Sequence, residues 1–130
     1  MRALMISADP NVREWMALAL RSVARRTGQT FEVLEARDGL AGMSMAWRHR
    51  PDVVVADEIT SRAGAFAVAR DLKAADPPFP GLVIILLERP EDQWLARWSG
   101  ADAWFVKPVN PFELADAVGA SLEARGEEAV

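Results

Sequence analysis

The feature that most constrains the fold is an unbroken apolar run that ends in a carboxylate, Val53-Val54-Val55-Ala56-Asp57. The run does not alternate with polar residues, and valine is β-branched. Both properties are typical of a strand that is buried on both faces of a parallel sheet. Such a strand places Asp57 at the carboxyl edge, where open α/β sheets hold their ligand sites. The sequence therefore predicts an α/β fold and makes Asp57 a candidate for chemistry.

Strand and helix patterns alternate five times along the chain. Strands are predicted over 3–7, 31–36, 53–57, 82–87 and 103–106, and helices follow each of them. This (βα)5 pattern predicts a parallel sheet with helices on both faces, and right-handed crossovers favour the flavodoxin-like strand order 2-1-3-4-5. Helical spacing places Leu40 and Phe112 among the core-facing residues. We expect one domain over residues 1–124 and a frayed tail over 125–130.

Composition narrows the classes of function. A formal net charge of −4 argues against a nucleic-acid partner, because non-specific binding needs a net basic face. The absence of cysteine excludes disulfides and thiolate metal sites. The N-terminal apolar run is too short for a signal peptide or a membrane span, so we expect a cytoplasmic protein with no membrane partner.

Polar residues follow three of the predicted strands. Asp9 comes shortly after the first strand, Asp57 and Glu58 end the third, and Lys107 follows the fifth. The carboxyl ends of parallel strands meet at one edge, so these side chains are expected to lie close together. Carboxylates and an amine at such an edge could bind a phosphoryl group and a divalent cation.

The chain resembles the receiver domain of bacterial two-component response regulators from about Arg2 to Leu122. The resemblance rests on several short motifs in the same order and spacing, namely residues 9–14 (DPNVRE), 35–39 (EARDG), 51–57 (PDVVVAD), 100–102 (GAD) and Lys107-Pro108. It implies that Asp57 occupies the position that accepts a phosphoryl group from a histidine kinase. It also implies that Lys107 contacts the phosphoryl oxygens and that the peptide bond before Pro108 is cis.

The sequence departs from the receiver pattern around the expected site. Receivers usually carry two adjacent acidic residues after the first strand that hold Mg²⁺, and Ser7 and Ala8 stand there. Leu87 replaces the usual Thr or Ser at the end of the fourth strand, so no hydroxyl is available to a phosphoryl oxygen. Trp104 replaces the usual Tyr or Phe of the aromatic switch position on the fifth strand.

Two nearby carboxylates offer a partial replacement for the missing acids. Asp9 is interpreted as the N-cap of the first helix, because Pro10 follows it at the first helical position. Glu58 is interpreted as a solvated loop residue. A shifted register could still bring either carboxylate close to a cation.

Tryptophans are concentrated near the fourth helix and fifth strand. Trp94 aligns with a normally buried position and is predicted to be in the core. Trp98 and Trp104 are predicted to form a docking surface with the last helix, since exposed tryptophans often anchor binding patches. The same fourth-helix, fifth-strand and fifth-helix face could support a homodimer.

We therefore interpret the chain as an atypical stand-alone receiver that acts through a protein partner, such as a histidine kinase or another signalling protein. It is expected to be neither an enzyme nor a metal or cofactor protein. The alternative is a working, Mg²⁺-dependent phosphoacceptor modified on Asp57 by a histidine kinase. A small enzyme or cofactor binder is a third class, but the chain has no Gly-rich phosphate loop, Gly-x-Ser-x-Gly elbow or metal-spaced histidines.

Overall fold

The computed structural model describes residues 1–59 and 63–129, with side chains through residue 125. Five parallel strands form one sheet of order β2-β1-β3-β4-β5, which confirms the predicted fold and strand order. The elements are, in chain order, β1 (Arg2–Ile6), α1 (Pro10–Thr27), β2 (Glu32–Ala36), α2 (Gly39–His49), β3 (Val53–Asp57), α3 (Ala65–Lys73), β4 (Leu82–Leu87), a 3-10 turn (Pro90–Asp92), α4 (Gln93–Ser99), β5 (Ala103–Val106) and α5 (Pro111–Ala129). Within the described residues, no helix is long and apolar enough to cross a membrane.

The central strand β3 contributes to two separate cores, one on each face of the sheet. Val54 and Ala56 point to the side covered by α2, α3 and α4, and Val53 and Val55 point to the side covered by α1 and α5. Successive side chains of a strand alternate between faces, so burial on both faces requires the apolar run seen in the sequence.

Some large residues predicted to face the core do not. Leu40 is 45% exposed and Phe112 is 57% exposed, so both predictions were wrong. The core face of α2 is instead made by small residues, since a Cβ on Gly42 would lie only 2.4 Å from Ile6 Cδ1. The helix therefore approaches the sheet too closely to place a larger side chain at that contact.

The strand register brings the expected site residues to one edge. Asp57 at the end of β3 pairs with Leu86 of β4, and Leu87 pairs with Val106 of β5. Residues just beyond these ends, on three neighbouring strands, consequently project into the same region. At the C-terminus, α5 is helical through Ala129. The expected end of the domain at residue 124 stays a prediction.

Candidate functional site at the carboxyl edge

Asp57 is buried at the carboxyl edge, with only 2% of its surface exposed. Its Oδ2 accepts a hydrogen bond from Ser7 Oγ at 2.8 Å, and its Oδ1 lies 2.5 Å from Lys107 Nζ. The backbone N–H of Ile59 also donates to Oδ1, over a longer distance of 3.4 Å. Both carboxylate oxygens are therefore engaged by side chains of this chain. Asp57 and Lys107, which were expected to lie close together, form an ion pair.

Lys107 bridges two carboxylates. Its Nζ lies 2.5 Å from Asp57 Oδ1 and 2.6 Å from Glu88 Oε1, and the peptide bond to Pro108 is cis, as expected. Burial lowers the pKa of Lys107, but the hydrogen bonds to Asp57 and Glu88 outweigh it and leave the pKa above its ordinary value. The charge of this ammonium is consequently shared between Asp57 and Glu88.

The two residues after β1, Ser7 and Ala8, differ in burial and in hydrogen bonding. Ser7 is fully buried, and its hydroxyl accepts from the backbone N–H of Asp9 at 3.1 Å while donating to Asp57. Ala8 is exposed and lines a cavity of about 500 Å³ together with Asp57 and Glu88. A methyl group at position 8 supplies no ligand for a cation in this cavity.

Asp9 caps α1, as the sequence predicts. Its backbone is extended, and its Oδ1 accepts from the N–H of Asn11 at 2.8 Å. One carboxylate oxygen thus satisfies an orphan donor at the start of the helix. Asp9 nevertheless lines the same cavity as Asp57, so it is the nearest additional carboxylate after β1.

Glu58 is not the solvated loop residue that was predicted. Its Oε2 accepts from the backbone N–H of Glu88 at 2.6 Å, and its side chain is hydrogen-bonded to Asp92. Burial and then this hydrogen bond raise the pKa of Glu58 to about 7, while the same hydrogen bond lowers the pKa of Asp92. Glu58 therefore joins the loop after β3 to the loop after β4.

The donor set at the edge differs from that of a carboxylate-rich Mg²⁺ site. In the part of the chain that the structure describes, no three His, Cys, Asp or Glu side chains are grouped to hold a metal ion. Asp57 offers a carboxylate, but Ser7 and Lys107 contact its two oxygens, and Asp9 is engaged in capping. These residues do not form a ready-made Mg²⁺ site. The expectation of no resident metal stays a prediction.

Leu87 and Trp104 flank the site without joining its polar contacts. Leu87 is fully buried in the core beneath α3 and α4. Trp104 is half-buried and packs against the same core, with the guanidinium of Arg97 5.9 Å from its ring.

Trp98 and Trp104 lie against different arginines, and the docking surface expected of them stays a prediction. Trp98 is 54% exposed, and its ring lies 4.9 Å from the guanidinium of Arg70 on α3. Trp104 is instead stacked with Arg97. Trp94 was predicted to be in the core but is 64% exposed, because the residues of α4 that face the protein are Ala96 and Ser99.

Sequence reasoning missed a second cavity beside the first. It has a volume of about 410 Å³ and is lined by Trp15 and Val12 of α1, by Pro108 and Val109, and by Glu88 and Lys107, among others. Glu88, which contacts Lys107, was not among the residues predicted for the site. An acidic residue directly after a buried strand was the sequence feature that could have indicated its place in the site.

The known proteins that are similar in sequence include response regulators. The chain is 29% identical over 127 residues to the DNA-binding response regulator MtrA of Mycolicibacterium smegmatis, and the match covers 98% of this chain and 53% of that protein. It is also 29% identical over 127 residues to an uncharacterized response regulatory protein of Mycobacterium tuberculosis, covering 95% of this chain and 92% of that protein. The chain spans about half the length of the first relatives it matches. No family model matches it.

Among solved structures, the chemotaxis response regulator CheY4 of Vibrio cholerae superposes with a TM-score of 0.76 at 21% identity. The superposition covers 92% of this chain and 96% of that one. At this identity the likeness shows the fold, and the five-stranded order 2-1-3-4-5 agrees with it.

Proposed function

Because its relatives and its fold support a response-regulator receiver domain of two-component signalling, we propose that this chain works as a protein-interaction module without ordinary Mg²⁺-dependent phosphorylation. The observation that carries the proposal is the set of contacts around Asp57, which in the described part of the chain includes no second carboxylate after β1 that is free to bind a cation. Ser7 and Lys107 each contact one oxygen of the carboxylate, and Lys107 is shared with Glu88.

Phosphoryl transfer to a carboxylate requires a free oxygen aligned with the incoming phosphorus and compensation of the added negative charge. A metal ion ordinarily supplies much of that compensation. Ala8 offers no ligand, and the Ser7 hydroxyl is directed to Asp57 itself. The missing ligands therefore argue against an efficient Mg²⁺-assisted transfer at Asp57.

Glu88 adds a direct obstacle. Its carboxylate lies 2.6 Å from Lys107 Nζ, the ammonium that would otherwise face a phosphoryl group. Two like charges about 4 Å apart repel by about 4 kcal/mol at an effective dielectric constant of 20. A phosphoryl group on Asp57 would have to displace Glu88 or meet this repulsion.

A phosphorylated form is the second candidate, and one observation favours it. Asp57 and Lys107 are retained at the positions implied by the receiver resemblance, and their side chains lie within 2.5 Å. On this alternative Lys107 would leave Asp57 and Glu88 to contact a phosphoryl group. A histidine kinase would then be the partner, and Mg²⁺ would be required.

A cation titration separates the two candidates. Trp15 lines a cavity together with Glu88 and Lys107, so its emission reports on that region of the edge. We expect tryptophan fluorescence to be unchanged when Mg²⁺ is added to tens of millimolar. A saturable change that disappears in an Asp57→Asn variant would favour the phosphoacceptor.

A further inference from the structure

The outward face of α4 carries two large, exposed aromatic side chains. Trp94 and Trp98 are four residues apart and lie on the same side of the helix, opposite the buried Ala96 and Ser99. They are 64% and 54% exposed. A fully accessible tryptophan offers roughly 250 Å² of surface, so the pair exposes about 300 Å². That is the size of the largest patch on a typical monomer, and such patches are often functional.

Arginines lie on both sides of this pair. The guanidinium of Arg70, from α3, lies 4.9 Å from the Trp98 ring, and its Nη1 donates to the Trp98 carbonyl at 3.3 Å. Arg97, the one charged residue of α4, lies on the side of the helix that faces Trp104. Neither arginine is ion-paired with a carboxylate of the described residues. Stacking on the indole holds Arg70 in place and leaves most of its N–H groups available to an acceptor.

The patch is cationic and aromatic on a chain whose net charge is −4. From this contrast we propose that Trp94, Trp98, Arg70 and Arg97 bind a partner segment that carries both apolar and acidic side chains. The proposal rests on the proposed function, protein interaction, and specifies its surface and partner chemistry. The surface lies on the α3–α4 side of the domain, and α5 is not part of it.

A second copy of this chain fits the patch less well. In a twofold dimer built on this surface, Arg70 and Arg97 would face the same cationic patch of the other copy. Like charges juxtaposed at an interface are unfavourable, whereas carboxylates on a partner would complement both arginines. The apolar part of the partner would cover the indoles, and its carboxylates would contact the guanidinium groups.

The test uses two synthetic helical peptides of about 15 residues, long enough for measurable helicity. One carries leucines along one face and glutamates elsewhere, and the other has lysines in place of the glutamates. The readout is the NMR shift of the indole N–H signals of Trp94 and Trp98 in the full chain. We expect the acidic peptide to shift both signals saturably and the basic peptide to shift neither. Trp94→Ala and Trp98→Ala should each weaken binding at least about tenfold.

Two variants complete the design. Phe112→Ala removes another exposed aromatic, 57% accessible on α5, and should leave binding unchanged. Arg70→Glu should weaken the acidic peptide and favour the basic one. Equal binding of the two peptides, loss of binding on Phe112→Ala, or no shift at about 1 mM peptide would overturn the proposal. So would concentration-dependent self-association that Trp94→Ala abolishes.

These results are independent of the chemistry at Asp57. A phosphoryl adduct on Asp57 would refute the proposal that the chain works without Mg²⁺-dependent phosphorylation. It would leave the peptide result unaffected. Failure of the peptide experiment would refute this surface and leave the state of Asp57 unaffected.

Discussion

Replacing Lys107 by methionine tests whether the contacts around Asp57 form one network. Asp57 is 2% exposed, and Lys107 is its cationic partner at 2.5 Å. Lys107→Met keeps the aliphatic stem but leaves a buried carboxylate with the Ser7 hydroxyl as its remaining side-chain donor. Removing one partner of a buried ion pair costs about 3 kcal/mol or more, because the other charge stays uncompensated.

The matched variant is Asp57→Asn, which removes the buried charge while Lys107 keeps Glu88 as a partner. We expect this change to cost about 1 kcal/mol. In the double variant neither charge is present, so it should cost about as much as Asp57→Asn alone. The double variant should therefore cost about 3 kcal/mol less than the two single changes added together, which is the coupling energy of the cycle.

Urea unfolding followed by tryptophan fluorescence measures each step. With an m-value of about 2 kcal/mol per molar, a loss of 3 kcal/mol lowers the midpoint by about 1.5 M. Additivity of the two single changes within about 0.5 kcal/mol would refute a coupled network. Recovery of the Lys107→Met midpoint in about 10 mM Mg²⁺ would show that a cation can replace the ammonium, which would contradict the absence of a Mg²⁺ site at this edge.

Three further predictions concern other residues. Ala8→Asp adds a carboxylate to the cavity beside Asp57, so calorimetry should detect Mg²⁺ binding at millimolar concentrations, where the wild-type chain should show none; absence of binding to the variant would contradict the assigned role of position 8. The pKa of Glu58 is raised to about 7, so the folded state holds its proton more tightly and stability should fall as pH rises from about 4.5 to 7. Glu58→Gln should remove that fall, on the order of 1 kcal/mol after solvent screening, and an unchanged pH profile of thermal unfolding would count against it. Phe79→Ala should lower the free energy of unfolding in urea by about 3 to 5 kcal/mol. Phe79 is 1% exposed and packs edge-on against Trp47, with 5.7 Å between the ring centroids. A loss below about 1 kcal/mol would contradict this packing.

The sequence predicted the sheet well because burial on both faces leaves a simple signal. The apolar runs predicted as strands at 53–57 and 82–87 coincide with β3 and β4, and every residue of both strands is buried. Helical periodicity was less informative about individual side chains. Leu40 and Phe112 are large and apolar and yet exposed, since spacing alone does not fix how closely each helix approaches the sheet.

Contacts between distant loops were beyond what the sequence could predict. Glu58 and Glu88 lie 30 residues apart, and the hydrogen bond between them depends on how the loops after β3 and β4 fold. The position of Asp57 opposite Lys107 was predictable because both residues end strands of the same sheet. The contact of Lys107 with Glu88 depends on side-chain conformation as well as register, and periodicity carries no information about it.

We propose above all that Asp57 is not an ordinary Mg²⁺-dependent phosphoacceptor. The most direct measurement is the intact mass of the protein after incubation with acetyl phosphate and Mg²⁺, with an Asp57→Asn variant as the control. Both proteins should keep the unmodified mass. A phosphoryl adduct on the wild-type chain that is absent from Asp57→Asn would contradict it.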